Sequence, residues 1–240
     1  MADRLSGAIV AAGRGERLRP VSGTIPKPLV ELAGKPLLIR QIDLLIDNGV
    51  HPIHVIVNSE TGSLMYEHGV RLPRIVELLT CDTANSMESL MRLGEQITSE
   101  FFVMMTVDAV LYARDVRHFV THATKIIGNP AAWLDGAIGV VKWRGDANPL
   151  FANIADDGLI TAFEDRRSPM VTAGIYLFST AIFAHAAEAR SRGLSAMRHF
   201  LAMLVEKGRR FVALEVPRAI DLDDAADLRA AREMLARESG

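Results

Sequence analysis

Residues 11–28, AAGRGERLRPVSGTIPKP, have the types and spacing that suit a polyphosphate. An apolar run, Ala8, Ile9 and Val10, leads into Gly13 and Gly15. Arg17 and Arg19 follow at once, and Lys27 stands between Pro26 and Pro28. A strand that delivers a glycine turn exposes backbone N–H groups, and fixed cations then close over the anion. A glycine–arginine turn after a strand is as often a solvated surface turn. The lysine separates the two readings. Its flanking prolines fix φ, and Ile25 before Pro26 is biased to extended backbone. A solvated lysine gains nothing from such rigidity, whereas an anion-binding one gains preorganisation. The GxxxxGK[ST] loop is absent, and Leu18 stands where a dinucleotide fingerprint has its third glycine.

Carboxylates form the second group. The apolar run 101–107 ends in Asp108, and the carboxyl end of a central strand is where open α/β sheets bind ligands. A nucleotide site needs hard oxygen ligands for Mg²⁺, of which one or two carboxylates usually suffice. Asp221-Leu222-Asp223-Asp224 supplies a further set. Alternation points Asp221 and Asp223 the same way, so either completes a metal shell with Asp108. Asp223 or Asp224 also suits the N-cap of the last helix. In Thr83-Ala84-Asn85-Ser86, Asn85 or Ser86 caps a helix, and Asn85 also offers the edge of a base both a donor and an acceptor. Glu164-Asp165-Arg166-Arg167 reads first as a solvated turn, the alternative being an arginine that reaches the phosphate of a second substrate. No histidine pair has HExxH spacing and no GxSxG elbow occurs.

These residues need strands and helices to hold them. Leu5 to Ala11 reads as a buried strand and 36–48 as a helix ending at Gly49. Strands follow at 53–58 and 74–79, a helix at 86–98, a central strand at 101–107 and a helix at 115–127. This β-α order implies a parallel sheet with helices on both faces. The second half has short strands at 137–142, 148–155, 159–164 and 171–178, with a hairpin at Asp157-Gly158. Helices at 181–190, with Ser179 as N-cap, and at 195–207 precede a strand at 211–216 and a final helix at 224–236. No linker separates the halves. One domain over 1–240 is therefore expected, with halves at 1–130 and 131–240.

Composition narrows the class. At 240 residues and 49% apolar, the chain can bury a full core. Its formal net charge is −2 with no basic run, so no footprint for duplex nucleic acid is present. The single cysteine, Cys81, suits a reducing compartment and excludes most zinc sites. There is no signal-peptide pattern and no apolar stretch of about 18 residues. A soluble, cytoplasmic protein is the expectation.

The stretch AAGRGERLRPVSGTIPKPL resembles the signature of the sugar-phosphate and alditol-phosphate nucleotidyltransferases, broadly AAGxGxRLxPxTxxxPKPL, with Ser22 where threonine is usual. Asp108, Ala173-Gly174-Ile175-Tyr176 and Ile220-Asp221-Leu222-Asp223 extend the likeness over nearly the whole chain. Asn85-x-x-x-Ser89-Leu90 is similar to a segment of phosphocholine cytidylyltransferases, and the Asp108 and Asp221 regions to inositol-1-phosphate cytidylyltransferases. The resemblance implies a Rossmann-like α/β/α sandwich, GT-A-like, with a mixed, mostly parallel sheet. It implies that Ala11, Ala12, Gly13, Gly15 and Lys27 hold a triphosphate fixed by Arg17, with Asn85 and Ser89 at the base. Asp108 with Asp221 or Asp223 would bind Mg²⁺, and Glu164, Arg166 and Tyr176 would line the acceptor site. The activity implied is transfer of a nucleotidyl group, CMP favoured, from a nucleoside triphosphate to a small phosphorylated alcohol or phosphonate. The alternatives are an NDP-sugar pyrophosphorylase using UTP or dTTP, and a non-catalytic nucleotide-binding module. The chain departs from many relatives at Val107-Asp108, where Gly-Asp is frequent, and at Glu164-Asp165-Arg166, where sugar enzymes carry Glu-Lys-Pro.

Overall fold

Strand β1 (Leu5–Ala11) is buried on both faces. Ala8 and Val10 enter one apolar cluster, Ile9 and Ala11 the other, as a period of two requires. The computed structural model describes residues 5–128, 133–145, 148–163 and 166–238. After β1 come the short helix α1 (Arg19–Ser22), a 3-10 turn at Lys27–Leu29, and a small hairpin of β2 (Glu31–Leu32) and β3 (Lys35–Pro36). Then follow α2 (Leu37–Asp47), β4 (Ile53–Val57), α3 (Ser59–Glu67), β5 (Val76–Thr80), α4 (Ser86–Gly94) and β6 (Phe101–Thr106). A two-residue turn leads to β7 (Ala109–Leu111) and α5 (Ala113–Ile127). The second half contributes β8 (Gly136–Lys142), β9 (Ala152–Ile154), β10 (Ile160–Phe163) and β11 (Met170–Ser179). It closes with α6 (Ala186–Ser191), α7 (Met197–Glu206), β12 (Phe211–Glu215), β13 (Ala219–Asp221) and α8 (Ala225–Ala236).

Both halves enter one seven-stranded sheet, ordered β12-β8-β11-β6-β1-β4-β5. Its pairings are parallel except those of β11, which runs antiparallel to β6 and to β8. Helices α2, α5 and α8 pack on one face and α4, α6 and α7 on the other, giving the three-layer α/β sandwich. The chain leaves β1 toward β4 on one side and returns through β6 on the other. A crevice therefore opens at the carboxyl ends of β1 and β6, the switch point of the sheet.

Several boundaries move from the sequence expectation. The helix expected over 86–98 stops at Gly94, and the strand expected over 148–155 contracts to Ala152–Ile154. Ser179 does cap, accepting from the Ala181 N–H, but the segment it starts is a 3-10 helix, Thr180–His185, before α6. Helix α3 was not anticipated. Its Thr, Gly and Ser content hides the period, although Asn58 caps it by accepting from the Thr61 N–H at 2.8 Å. The β7–β13 pair also escaped the sequence, because three-residue strands are too short to show alternation.

One glycine is needed for the site to form. Gly174 has φ +73° within an irregular stretch of β11, where the register against β8 shifts between Thr172 and Tyr176. A Cβ there would collide with the Ala109 Cβ and lie 2.8 Å from Thr106 Oγ1. Its absence lets β11 close on the turn that carries Asp108. Gly174→Ala is expected to lose about 1–3 kcal/mol of stability from backbone strain alone, with the clash adding to it. Denaturant unfolding followed by circular dichroism measures the loss.

Candidate active site

Two acidic segments converge on the crevice. Asp108 sits in the turn after β6, Asp221 ends β13, and Asp223 follows one residue before the cap of α8. Antiparallel pairing of β7 with β13 places Asp221 opposite Ala109, and the Leu222 N–H donates to the Asp108 carbonyl at 3.0 Å. Carboxylate oxygens of Asp108, Asp221 and Asp223 consequently lie within 4.8 Å of one another. Leu222 between them is fully buried. The N-cap duty falls to Asp224, whose side chain accepts from Ala226 and Asp227 N–H groups while Asp227 reciprocates. Asp223 is thereby left to the cluster.

Two cations face these acids. The Lys27 ammonium is 8% exposed and donates to Asp108 Oδ2 at 3.1 Å and to Asp223 Oδ1 at 2.9 Å. Burial lowers its affinity for a proton, but Asp108 and Asp223 outweigh that and hold its pKa above the usual lysine value. Arg17 pairs with Asp223 Oδ2 at 2.6 Å from a half-exposed position. Gly15 adopts φ +60°, and a Cβ there would meet Lys27 Cβ at 2.9 Å, so the loop glycine makes room for the lysine stem. Among the described residues no cation pairs directly with Asp221. Burial first, then the charges of Asp108 and Asp223, push its carboxyl up to about 7. Three hard oxygen donors this close are a donor set that suits Mg²⁺, and the raised carboxyl of Asp221 reflects the same crowding of negative charge.

Two cavities meet at this cluster. One, of about 360 Å³, is lined by Ala12, Gly13, Gly15, Lys27, Asn85 and Ser89 among others. A Cβ on Gly13 would meet no protein atom within 4 Å, so packing within the protein does not demand a glycine there. Arg14, rather than Arg17, reaches this cavity, and Ala11 is buried in the strand behind it. Asn85 caps α4 by accepting from the Glu88 N–H at 3.0 Å, and Ser89 is buried against Thr83 Oγ1 at 2.6 Å. The second cavity, of about 270 Å³, lies between Asp108, Asp221, Tyr176 and Arg198. Tyr176 is buried, which together with the nearby acids pushes its phenol up to about 12, so it remains a neutral donor. Asp108, Thr106 and Ser86 belong to both linings.

The remaining expected residues fall elsewhere. Arg166 is exposed and lines neither cavity, and Glu164 lies outside the described residues. Trp143 packs edge-on against Phe151 and also lines neither cavity. Arg198 was missed. It projects from α7 and donates to the Asn148 carbonyl at 3.0 Å. Nothing in the local sequence of an amphipathic helix marks it.

The profile of the nucleotidyl transferase family matches residues 6–236. The chain belongs to that family. Among curated proteins it is similar to a mannose-1-phosphate guanyltransferase of Gibberella zeae, 36% identical over 42% of this chain and 29% of that protein. It is also similar to a UTP–glucose-1-phosphate uridylyltransferase of Haloferax volcanii, 25% identical over 88% of each. The chain spans only 29–40% of the length of the first few curated relatives it matches. Among solved structures, the inositol-1-phosphate CTP transferase from T. maritima superposes with a TM-score of 0.77 at 19% identity, over 99% of this chain and 96% of that one. Among the described residues no helix is long and apolar enough to cross a membrane.

The raised carboxyl of Asp221 has a consequence for stability. Its folded pKa, about 7, lies above the unfolded value near 4. Between those values the native state holds a proton that the unfolded chain has released, so this group weakens the fold as pH rises. Asp221→Asn removes that penalty. Without added metal, its melting temperature is expected to exceed that of the unaltered protein at pH 8, with the gain fading toward pH 4. Thermal melts across that range measure it.

Proposed function

We propose that this chain transfers CMP from CTP to a small phosphorylated alcohol or phosphonate and releases pyrophosphate. The observation that carries the reading is the position of Asp108 in the wall shared by two cavities, one beside the glycine loop and one beside Arg198. A donor nucleotide in the first and a phosphorylated acceptor in the second would meet at that carboxylate.

The chemistry asks for little proton transfer. An acceptor phosphate oxygen attacks the α-phosphorus, a new O–P bond forms, and the bond to the β-phosphate oxygen breaks opposite it. The nucleophile is already anionic near neutral pH, which agrees with a cleft that has no Ser–His or Cys–His pair among its described residues. The obstacle is repulsion between two anions. Lys27, Arg14 and the loop N–H groups would neutralise and orient the triphosphate, with Arg17 bracing Asp223. Asp108, Asp221 and Asp223 would hold Mg²⁺, and the chemistry a bound Mg²⁺ supplies there is neutralisation of phosphate oxygens. In the acceptor cavity, Arg198 would face the acceptor phosphate and Tyr176 would offer a neutral hydroxyl.

The preference for cytosine rests on Asn85. Its carbonyl is committed to the cap of α4, which leaves the amide N–H groups as the free half. Cytosine offers the adjacent acceptors N3 and O2, whereas N3 of uracil donates. A second reading, an NDP-sugar pyrophosphorylase using UTP or dTTP, is favoured by the end-to-end match to the uridylyltransferase.

A panel of CTP, UTP, dTTP and GTP against phosphocholine, aminoethylphosphonate, inositol 1-phosphate and glucose 1-phosphate, read by pyrophosphate release, tests the proposal. CTP with a phospho-alcohol should turn over fastest; rapid turnover of UTP with glucose 1-phosphate would transfer the assignment to the second reading. Lys27→Ala and Asp108→Asn are each expected to lose on the order of 10²–10³ in kcat, and near-normal rates in both would sink either version. Arg198→Ala should raise KM for the acceptor about tenfold or more, the weight of a charge-assisted hydrogen bond, while leaving KM for the nucleotide near its original value.

A further inference from the structure

The turn that carries Asp108 is gripped from behind by a side chain with no contact to either cavity. Gln41 lies in the middle of α2 and is fully buried. Its Nε2 donates to the Ala109 carbonyl at 2.6 Å and to the Val107 carbonyl at 3.3 Å. These are the two carbonyls that flank Asp108. The Asp108 carbonyl is itself taken by the Leu222 N–H, and the Val107 N–H donates to the Val10 carbonyl at 3.2 Å. The acid is therefore presented by a turn whose three successive carbonyls, those of Val107, Asp108 and Ala109, are all bonded.

The same helix holds the lysine. The Leu37 N–H at the start of α2 donates to the Val30 carbonyl at 3.0 Å, and the Val30 N–H donates to the Lys27 carbonyl at 3.2 Å. Leu37, Leu38, Ile42, Leu44 and Leu45 anchor α2 in the core. One rigid element thus sets the span between Lys27 and Asp108, with Gln41 as its grip on the acid. The residue type suits the task. A primary amide puts two N–H donors on one uncharged nitrogen, so it can serve two carbonyls without burying a charge. Asparagine has the same group on a stem one methylene shorter.

We propose that Gln41 is a positioning residue for nucleotidyl transfer, acting through the Asp108 turn to set the acid's place for cation binding and its distance from Lys27. This rests on the function proposed above. Groups that orient a metal ligand from outside the ligand set typically account for 10–100-fold in affinity or activity. The test compares Gln41→Met and Gln41→Asn with Leu45→Ala, a core truncation one turn along the same helix. Mn²⁺ affinity of the nucleotide-free protein is measured by calorimetry, together with melting temperature, kcat and KM for CTP. Gln41→Met is expected to weaken Mn²⁺ binding about 10–100-fold and to lower kcat comparably, with KM for CTP moving much less. Gln41→Asn should show a smaller loss in the same direction. Leu45→Ala should lower the melting temperature while leaving Mn²⁺ affinity unchanged at 25 °C. Folded Gln41 variants with unaltered Mn²⁺ affinity, or a loss of affinity in Leu45→Ala that tracks its loss of stability, would overturn the proposal. So would failure of both Gln41 variants to fold, which would make the residue a structural brace. If the unaltered protein turns over none of the nucleotides, the function proposed above falls, and the Mn²⁺ comparison still judges Gln41.

Discussion

Three carboxylates within 4.8 Å of one another cannot all stay ionised without positive charge between or beside them. Lys27 and Arg17 supply part of it, and burial together with the remaining crowding of negative charge raises the Asp221 carboxyl to about 7. Much of the crevice follows from this requirement. Lys27 and Asp108 are 81 residues apart, Lys27 and Asp223 196 apart, so only tertiary structure brings them together. The switch point supplies the place, the β7–β13 pair draws the two acidic segments together, and the rigid Pro26-Lys27-Pro28 turn delivers the ammonium.

Such a site is held against its own electrostatics. An ammonium with so little exposure is tolerable because two carboxylates accept from it. A cluster of acids is tolerable because surrounding backbone bonds leave those acids little freedom to move apart. The positions that demand glycine sit next to the chemistry. Gly174 takes a left-handed conformation where β11 meets the Asp108 turn, and Gly15 does the same where the loop meets Lys27. Both positions would repel a side chain.

The parts of the molecule written in local pattern were legible in the sequence. β1 was bounded to the residue, and α2, β6 and α8 to within one or two, because the strands are continuous apolar runs and the helices carry apolar residues at helical spacing. The glycine loop, Lys27, Asp108 and the Asp221–Asp223 pair were visible as residue types at the ends of expected strands. What stayed hidden depended on contacts between distant segments. Gln41 looks like any polar residue on a helix, and only the fold reveals it facing inward. Arg198 likewise becomes a cavity residue through the packing of α7. Asn85 illustrates a different ambiguity: one side chain can cap a helix with its oxygen and keep its nitrogen for another partner. Arg166 shows the converse, since a charged turn suggested for the acceptor side is exposed and lines neither cavity.

The two cavities share Asp108, Thr106 and Ser86 but otherwise draw on separate stretches of chain. The glycine-loop side comes entirely from residues before position 110, and most of the Arg198 side from residues after position 140. Selection can therefore retune one pocket through substitutions that never touch the other. On the function proposed above, a scaffold with that division of labour could exchange one partner of the reaction while inheriting the other intact, and a hybrid gene crossed over between positions 110 and 140 would then recombine the two preferences as separate traits.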